Sequence, residues 1–478
     1  MRTYSYYFFF FFFFFFLISQ VYSKKYGYVK NSAQRTTKNI FRNIRLYNSY
    51  NSNQLKNYCE TSRVVCTGLG VVTGVGIGVE HFWNNLISGY NSIDKITKFD
   101  VTGMACGIGS EINKNDFNPY DFYTNKKDVN RNDDCTHYAV AATRLAIDDA
   151  KIDLNKIDSD KVGTIIGSGI GGLLFLEKEM KTLHEKGHKR ITPYLIPAMI
   201  ANTPSGFVSI ENNLRGISLG MLSACATSGN TIGEAYRYIK YKEYDVMICG
   251  GTEASITPIS FAGFNALRAL CVGYNDNPKK GCRPFDLKRS GFVMGEGSGI
   301  LILESYEHAI KRNAKIYGEI LAYSSESDAY HITAPEPNGR GLTSSIKKAL
   351  RMGNVNISDV KYVNAHGTST NLNDKIETKV LKNVFKDHAY KLHVSSTKSM
   401  TGHCIGAAGA IESIACLKAM QTNIIPPTIN YENEDPECDL DYTPNKSFYS
   451  KEDIDISLNT NLGFGGHNTA LLFKKISK

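Results

Sequence analysis

From Arg63 onward the chain alternates short apolar runs with helical ones, and that alternation restricts it to a layered α/β architecture. "RVVCTGLGVV" reads as a buried strand, and "VEHFWNNLISG" as a helix closed by Gly89. "THYAVAATRLAIDDAKI" carries apolar residues at helical spacing, and "KVGTIIGSGIGG" is a strand that runs into glycines. "YDVMICGGTEA" and "GSGILILESYEHAIKR" continue the pattern. No long polar linker interrupts residues 61–478, so they read as one compact unit. An internal echo is visible inside it. "SACATSGNTIGEAYRYIKY" and "TGHCIGAAGAIESIACLKAM" are both small-residue turns that feed a helix. Two similar halves would face these helix starts toward each other, the first offering Cys225 and the second His403.

The first 60 residues are of a different kind. "MRTYSYYFFFFFFFFFLIS" has one early arginine and an apolar run from Tyr6 to Ile18. The run suits a signal-peptide core and is short for a transmembrane span, which is the alternative reading. The following "KKYGYVKNSAQRTTKNIFRNIRLYNSYNSNQLKNY" is rich in Lys, Arg, Asn and Ser and contains no acid, the composition of a transit peptide. The expectation is a signal peptide over 1–22 and a transit segment over 23–60. Together they resemble the address of a secondary plastid, such as an apicoplast.

Charge follows the same division. The chain's formal net charge is +9, but residues 1–60 carry +8 of it and the remaining 418 residues carry +1. A nearly neutral body gives no support to a nucleic-acid partner. The 11 cysteines are odd in number and scattered without a CxxC pair, which fits reduced thiols better than a disulfide framework or a zinc site.

Two motifs are set aside. "HEKGH", His184 to His188, matches HExxH, but Gly187 sits inside it and charged residues surround it, so it reads as a solvated loop. "GSGIGG", Gly167 to Gly172, fits GxGxxG after a strand. No acid lies between Glu185 and Glu211, where a dinucleotide site wants one for the ribose. Those glycines read instead as a place where backbone packs closely beside a pocket.

Four segments carry the chemistry: "LSACATSGN" with Cys225, "YVNAHGTSTNLNDKIE" with His366, "VSSTKSMTGHCIGAAGAIE" with Lys398 and His403, and "NTNLGFGGHNTALLF" with Phe464. Cys225 stands just before a helix, where the dipole and free N–H groups favour a thiolate. Together, and in this order, the segments resemble the β-ketoacyl-acyl-carrier-protein synthases of types I and II over nearly all of residues 62–475. The resemblance implies the thiolase fold: two similar halves, residues 61–312 and 313–478, in a five-layered αβαβα sandwich, usually as a homodimer.

It also implies roles. Cys225 would be the nucleophile, and the N–H groups of Cys225 and Phe464 an oxyanion hole. His366 and His403 would stabilise the enolate left when a malonyl thioester loses CO2. Lys398 would support them, paired with Glu377. Thr368 and Thr370 would bind the phosphopantetheine arm, and Phe464 would gate the pocket. Ile170, Leu195 and Phe264 match acyl-pocket positions. Lys127, Arg131, Arg190 and Arg268 match a basic patch that receives acidic acyl carrier protein. His467 departs from the small hydroxyl residue often found after "GFGG". Initiating synthases use Cys-His-Asn and thiolases a second cysteine as base, so His403 and Lys398 point away from both.

The expected activity is a decarboxylative condensation of malonyl-carrier protein with an acyl-enzyme, lengthening fatty acids by two carbons. No metal or redox cofactor is expected, since phosphopantetheine arrives on the carrier protein. A non-catalytic chain-length or scaffold subunit would be expected to lack Cys225. A polyketide condensing enzyme is the nearer alternative, although "SACATSG" looks more like the fatty-acid type.

Overall fold

All ten residues of β1 (Val64–Thr73) are buried, as in a strand covered on both faces. The computed structural model describes residues 61–476; the signal and transit readings lie outside the described residues. After β1 come α1 (Asp134–Ala150), β2 (Val162–Gly167), α2 (Thr203–Glu211), β3 (Ser218–Leu219), α3 (Thr227–Lys240), β4 (Val246–Glu253) and β5 (Gly297–Ser305). The order then repeats: β6 (Gly318–Ser327), α4 (Arg340–Gly353), β7 (Val360–Asn364), α5 (Asn371–Phe385), β8 (His393–Ser395), α6 (Ala408–Thr422), β9 (Ile456–Gly463) and β10 (His467–Lys474).

The sheet order is β8-β7-β9-β10-β6-β1-β5-β4-β2-β3, so each half is wound in the same way outward from its first strand. In the first half β2 runs parallel to β3 and β4, and β5 antiparallel to β4 and β1. In the second, β7 runs parallel to β8 and β9, and β10 antiparallel to β9 and β6. The halves join antiparallel at Val65 opposite Glu319 and Cys66 opposite Gly318.

Helices α3 and α6 pack on each other and on both half-sheets, while α1 with α2 covers one outer face and α4 with α5 the other. This is the five-layered arrangement of helix, half-sheet, helix pair, half-sheet and helix. A central helix must be apolar all round. Accordingly α6 is buried from Ala408 through Met420.

Two sequence expectations change here, and a third element proves more buried than spacing alone shows. The echo aligns Cys225 with Gly406 and not with His403: each lies two residues before its helix, behind a residue of positive φ, Ala224 at 49° and Ile405 at 41°. "HEKGH" is no loop. His184 and Glu185 form the last turn of the helix Leu173–Lys186, Gly187 breaks it at φ 81°, and His188 starts the next turn. Both histidines are exposed and do not share a helix face. "THYAVAATRLAIDDAKI" is buried over most of its surface because α1 packs against both β1 and α2.

"GSGIGG" does bring backbones together beside a pocket. A Cβ on Gly172 would fall 2.1 Å from the carbonyl oxygen of Ala198, and Gly169 and Ile170 line the cavity described next. Among the described residues all ten cysteines are unpaired and buried, and no helix is long and apolar enough to cross a membrane.

Candidate active site

Cys225 lies in the tight turn Ala224–Ala226 that runs into α3. The αL backbone at Ala224 turns the chain sharply there. The backbone N–H of Phe464 donates toward the sulfur. Gly463 lets that segment come close, since a Cβ there would fall 2.7 Å from the Ser223 carbonyl oxygen and 3.1 Å from the Cys225 nitrogen. The resting thiol is not the thiolate expected from its helix position. Burial pushes it up to about 12, outweighing the opposing pull of the Lys398 charge and the Phe464 N–H.

His366 follows β7, which places it beneath the same pocket, and His403 precedes the turn into α6. Their rings stand edge to face with centroids 5.4 Å apart. Lys398 Nζ lies 3.4 Å from Nδ1 of His366. Both imidazoles are held well below the usual histidine value, first by burial and then by the Lys398 charge, so both are neutral near pH 7 and each carries one N–H. Nδ1 of His403 is buried with no hydrogen-bond partner among the described residues.

Lys398 is not paired with Glu377. Its ammonium meets the carboxylate of Glu412, on α6, and the other Glu412 oxygen accepts from Asn461 Nδ2 at 2.6 Å. Glu377 instead accepts the backbone N–H groups of His366 and Gly367, each at 2.8 Å, and the hydroxyl of Thr460 at 2.9 Å. It holds the histidine's main chain, not the lysine.

A pocket of about 550 Å³ joins these groups. Cys225, His366, His403, Thr368, Thr370, Ile170, Phe264, Phe464 and Arg268 all line it. The Thr368 and Thr370 hydroxyls are 2.9 Å apart, and the rings of Phe464 and Phe264 lie 6.5 Å apart. Leu195 does not line the pocket. It starts the short helix Leu195–Met199, which packs on the helix Leu173–Lys186 and on α2. His467 opens β10 opposite Ser327 and also stays off the pocket wall. Of the basic residues only Arg268 borders the mouth; Lys127 and Arg190 are exposed elsewhere, and Arg131 pairs with Asp128 at 2.7 Å and lies over Tyr194.

The sequence profile of the β-ketoacyl synthase N-terminal domain matches residues 61–309, and that of the β-ketoacyl synthase C-terminal domain matches residues 317–432. The chain belongs to the β-ketoacyl synthase family. It is 48% identical over 416 residues to 3-oxoacyl-[acyl-carrier-protein] synthase 2 of Synechocystis, covering 87% of this chain and 99% of the relative. The protein of that name from Coxiella burnetii is 43% identical over 417 residues, again with 87% and 99% covered. Among solved structures, a β-ketoacyl synthase from Burkholderia phymatum aligns with a TM-score of 0.79 at 31% identity, covering 87% of this chain and all of the other. A chain from a complex of a type II polyketide acyl-carrier protein with its ketosynthase aligns with a TM-score of 0.80 at 32% identity, with 87% and 100% covered. This β-ketoacyl synthase is therefore an acyltransferase-type condensing enzyme of fatty acid biosynthesis.

Sequence reasoning passed over Glu412 and Arg289. Glu412 had a legible signal, an acid inside the otherwise small and apolar "GAAGAIESIACL". Arg289 had none. Fully buried in this synthase, it donates to the carbonyls of Thr370 and Asn371 at 3.2 and 3.3 Å and to Asp435 at 2.7 Å, and so fixes the segment that carries both threonines.

Proposed function

We propose that the chain elongates an acyl group by a ping-pong reaction with acyl and malonyl groups delivered on acyl carrier protein. One observation carries the mechanism: two neutral histidines line the same pocket as Cys225, one of them with its Nδ1 facing a buried lysine. Lysine only donates, so Nδ1 of His366 accepts and its proton sits on Nε2.

Acylation comes first. The Cys225 thiol gives up its proton as sulfur attacks the acyl thioester, and the departing pantetheine thiol takes a proton. The N–H groups of Cys225 and Phe464 hold the oxyanion. The malonyl thioester then loses its carboxylate, and the electron pair of the broken C–C bond passes to the enolate. Its oxygen receives the N–H groups of His366 and His403. The enolate carbon attacks the acyl-enzyme carbonyl, the C–S bond to Cys225 breaks, and the thiolate regains a proton. Decarboxylation supplies the electron pair, so this reading assigns the enzyme no resident cofactor.

Support for the carrier as partner comes from the carrier-protein synthases named above and from Arg268 at the mouth. A homodimer is proposed through the β3 edge. That edge and the helices beside it expose Ile210 at 71%, Leu222 at 59% and Ile196 at 58%, an apolar face that a second copy would cover. Residues 1–60 are proposed to direct the chain to a plastid; fused to a fluorescent protein, they would show this by co-localisation.

The test of the reaction is Cys225→Gln. An amide imitates the acylated thiol, so this variant should release CO2 from malonyl-carrier protein while forming no 3-oxoacyl product. Normal condensation would show that Cys225 is not the nucleophile.

A further inference from the structure

Glu253 ends β4 with no solvent exposure and stands outside the mechanism just given. Both oxygens of its carboxylate are nonetheless hydrogen-bonded. One oxygen, Oε2, accepts the backbone N–H of Gly169 at 2.8 Å and that of Gly406 at 3.0 Å. The other, Oε1, accepts the Ser168 hydroxyl at 3.1 Å, and Ser168 Oγ in turn accepts the N–H of Gly171 at 2.9 Å. The two segments it bridges come from opposite halves of the fold. They touch backbone to backbone, since a Cβ on Gly406 would fall 2.3 Å from the Gly169 nitrogen.

Those segments carry Ile170 and Ile405, which line the pocket on either side of this contact and belong to the same apolar cluster as Cys225 and Phe264. Ile405 holds φ at 41°, a conformation a β-branched residue keeps only when its surroundings impose it. The bond from Gly406 to Glu253 falls on the very next residue. Two N–H groups aimed at one point in an apolar wall need a strong acceptor between them. Without it both are buried unpaired.

We infer that Glu253 is a positioning residue for the proposed reaction: its carboxylate clamps the Gly169–Ile170 wall to the Ile405–Gly406 turn and so sets which acyl chain lengths the pocket accepts. The inference rests on the condensing reading for its biological meaning, but Cys225 gives a probe that does not need condensation.

The experiment labels Cys225 in the full-length enzyme with N-alkylmaleimides of increasing chain length, scored by mass spectrometry of the Cys225 peptide. In parallel, kcat/KM is measured for acyl-carrier proteins of graded length. In a fitted apolar pocket each methylene beyond the limit costs about tenfold or more. Glu253→Ala should flatten that fall by about tenfold in both assays, through Ile405 relaxing out of the wall. Glu253→Gln, whose carbonyl oxygen still accepts both glycine N–H groups, should restore the original profile. If Glu253→Ala does not fold, Ser168→Ala should shift the profile the same way by less. A loss equal at every length, or an unchanged profile in the variant that folds, overturns the clamp. A parent enzyme that labels with length dependence but condenses no acyl-carrier protein overturns the condensing reading and leaves the clamp standing.

Discussion

Lys398 Nζ stands 3.4 Å from Nδ1 of His366, and the same ammonium meets the Glu412 carboxylate. The ammonium therefore dictates the tautomer of His366, and Glu412 keeps the ammonium in place. Three buried groups on three segments act as one unit, and separating them has measurable consequences.

Lys398→Met leaves Glu412 buried without its partner. Breaking such a pair costs about 3–5 kcal/mol, while replacing both members by apolar residues is close to neutral. Lys398→Met should thus lower the Tm markedly, and Lys398→Met with Glu412→Leu should recover most of it without recovering decarboxylation. Equal melting of the single and double variants would count against the pairing.

Both histidines must be neutral to work as assigned, and burial with the Lys398 charge holds their folded values below the unfolded value of about 6.5. The sign follows. The neutral forms survive as pH falls through 6.5, so malonyl decarboxylation by Cys225→Gln should keep its rate there and lose it only further down. The same depression favours folding above pH 6.5 and that contribution is lost as pH falls below it. A decarboxylation midpoint at or above 6.5 would contradict the assignment.

Glu377 holds two backbone N–H groups, and burial raises its carboxyl to about 7. Glu377→Gln keeps an acceptor and should retain the fold with reduced activity. Glu377→Ala orphans buried donors, each worth about 1–3 kcal/mol. It should lower both Tm and kcat for decarboxylation, with acylation of Cys225 less affected. Chemical denaturation and acyl-enzyme trapping separate these effects.

Gly463→Ala would drive a methyl group to within 2.7 Å of the Ser223 carbonyl oxygen and displace Phe464 N–H from the sulfur. Losing one oxyanion donor should slow acylation by about 10²–10³. Mass spectrometry of the acyl-enzyme under single-turnover conditions measures it; an unchanged rate removes Phe464 N–H from the oxyanion hole.

Arg268 is exposed and borders the pocket mouth. Arg268→Glu should raise KM for carrier-bound substrate and spare a short acyl-pantetheine, and the parent's KM should rise with salt, since exposed charges are screened over about 8 Å at 0.15 M. Equal losses on both substrates would place Arg268 in the site and not on the docking surface.

The sequence by itself determined the layered α/β class and singled out Cys225, His366, Lys398, His403 and Phe464, which the fold brings together at one pocket. Period and order are local properties, and the motifs that hold these residues are continuous stretches of chain. Partnership is different. That Lys398 meets Glu412 and not Glu377, and that Leu195 lies off the pocket wall, were decided by how the elements pack and not by their order. The same packing reversed the expectation for the thiol. A helix N-terminus lowers a cysteine's pKa when it is solvated, but here the surrounding half-sheets exclude water and desolvation is the larger effect. Spacing along the chain records which side chains are available; only the folded layers bring residues from segments 14 to 153 positions apart, such as Lys398 with Glu412 and Glu253 with Gly406, within reach of one another.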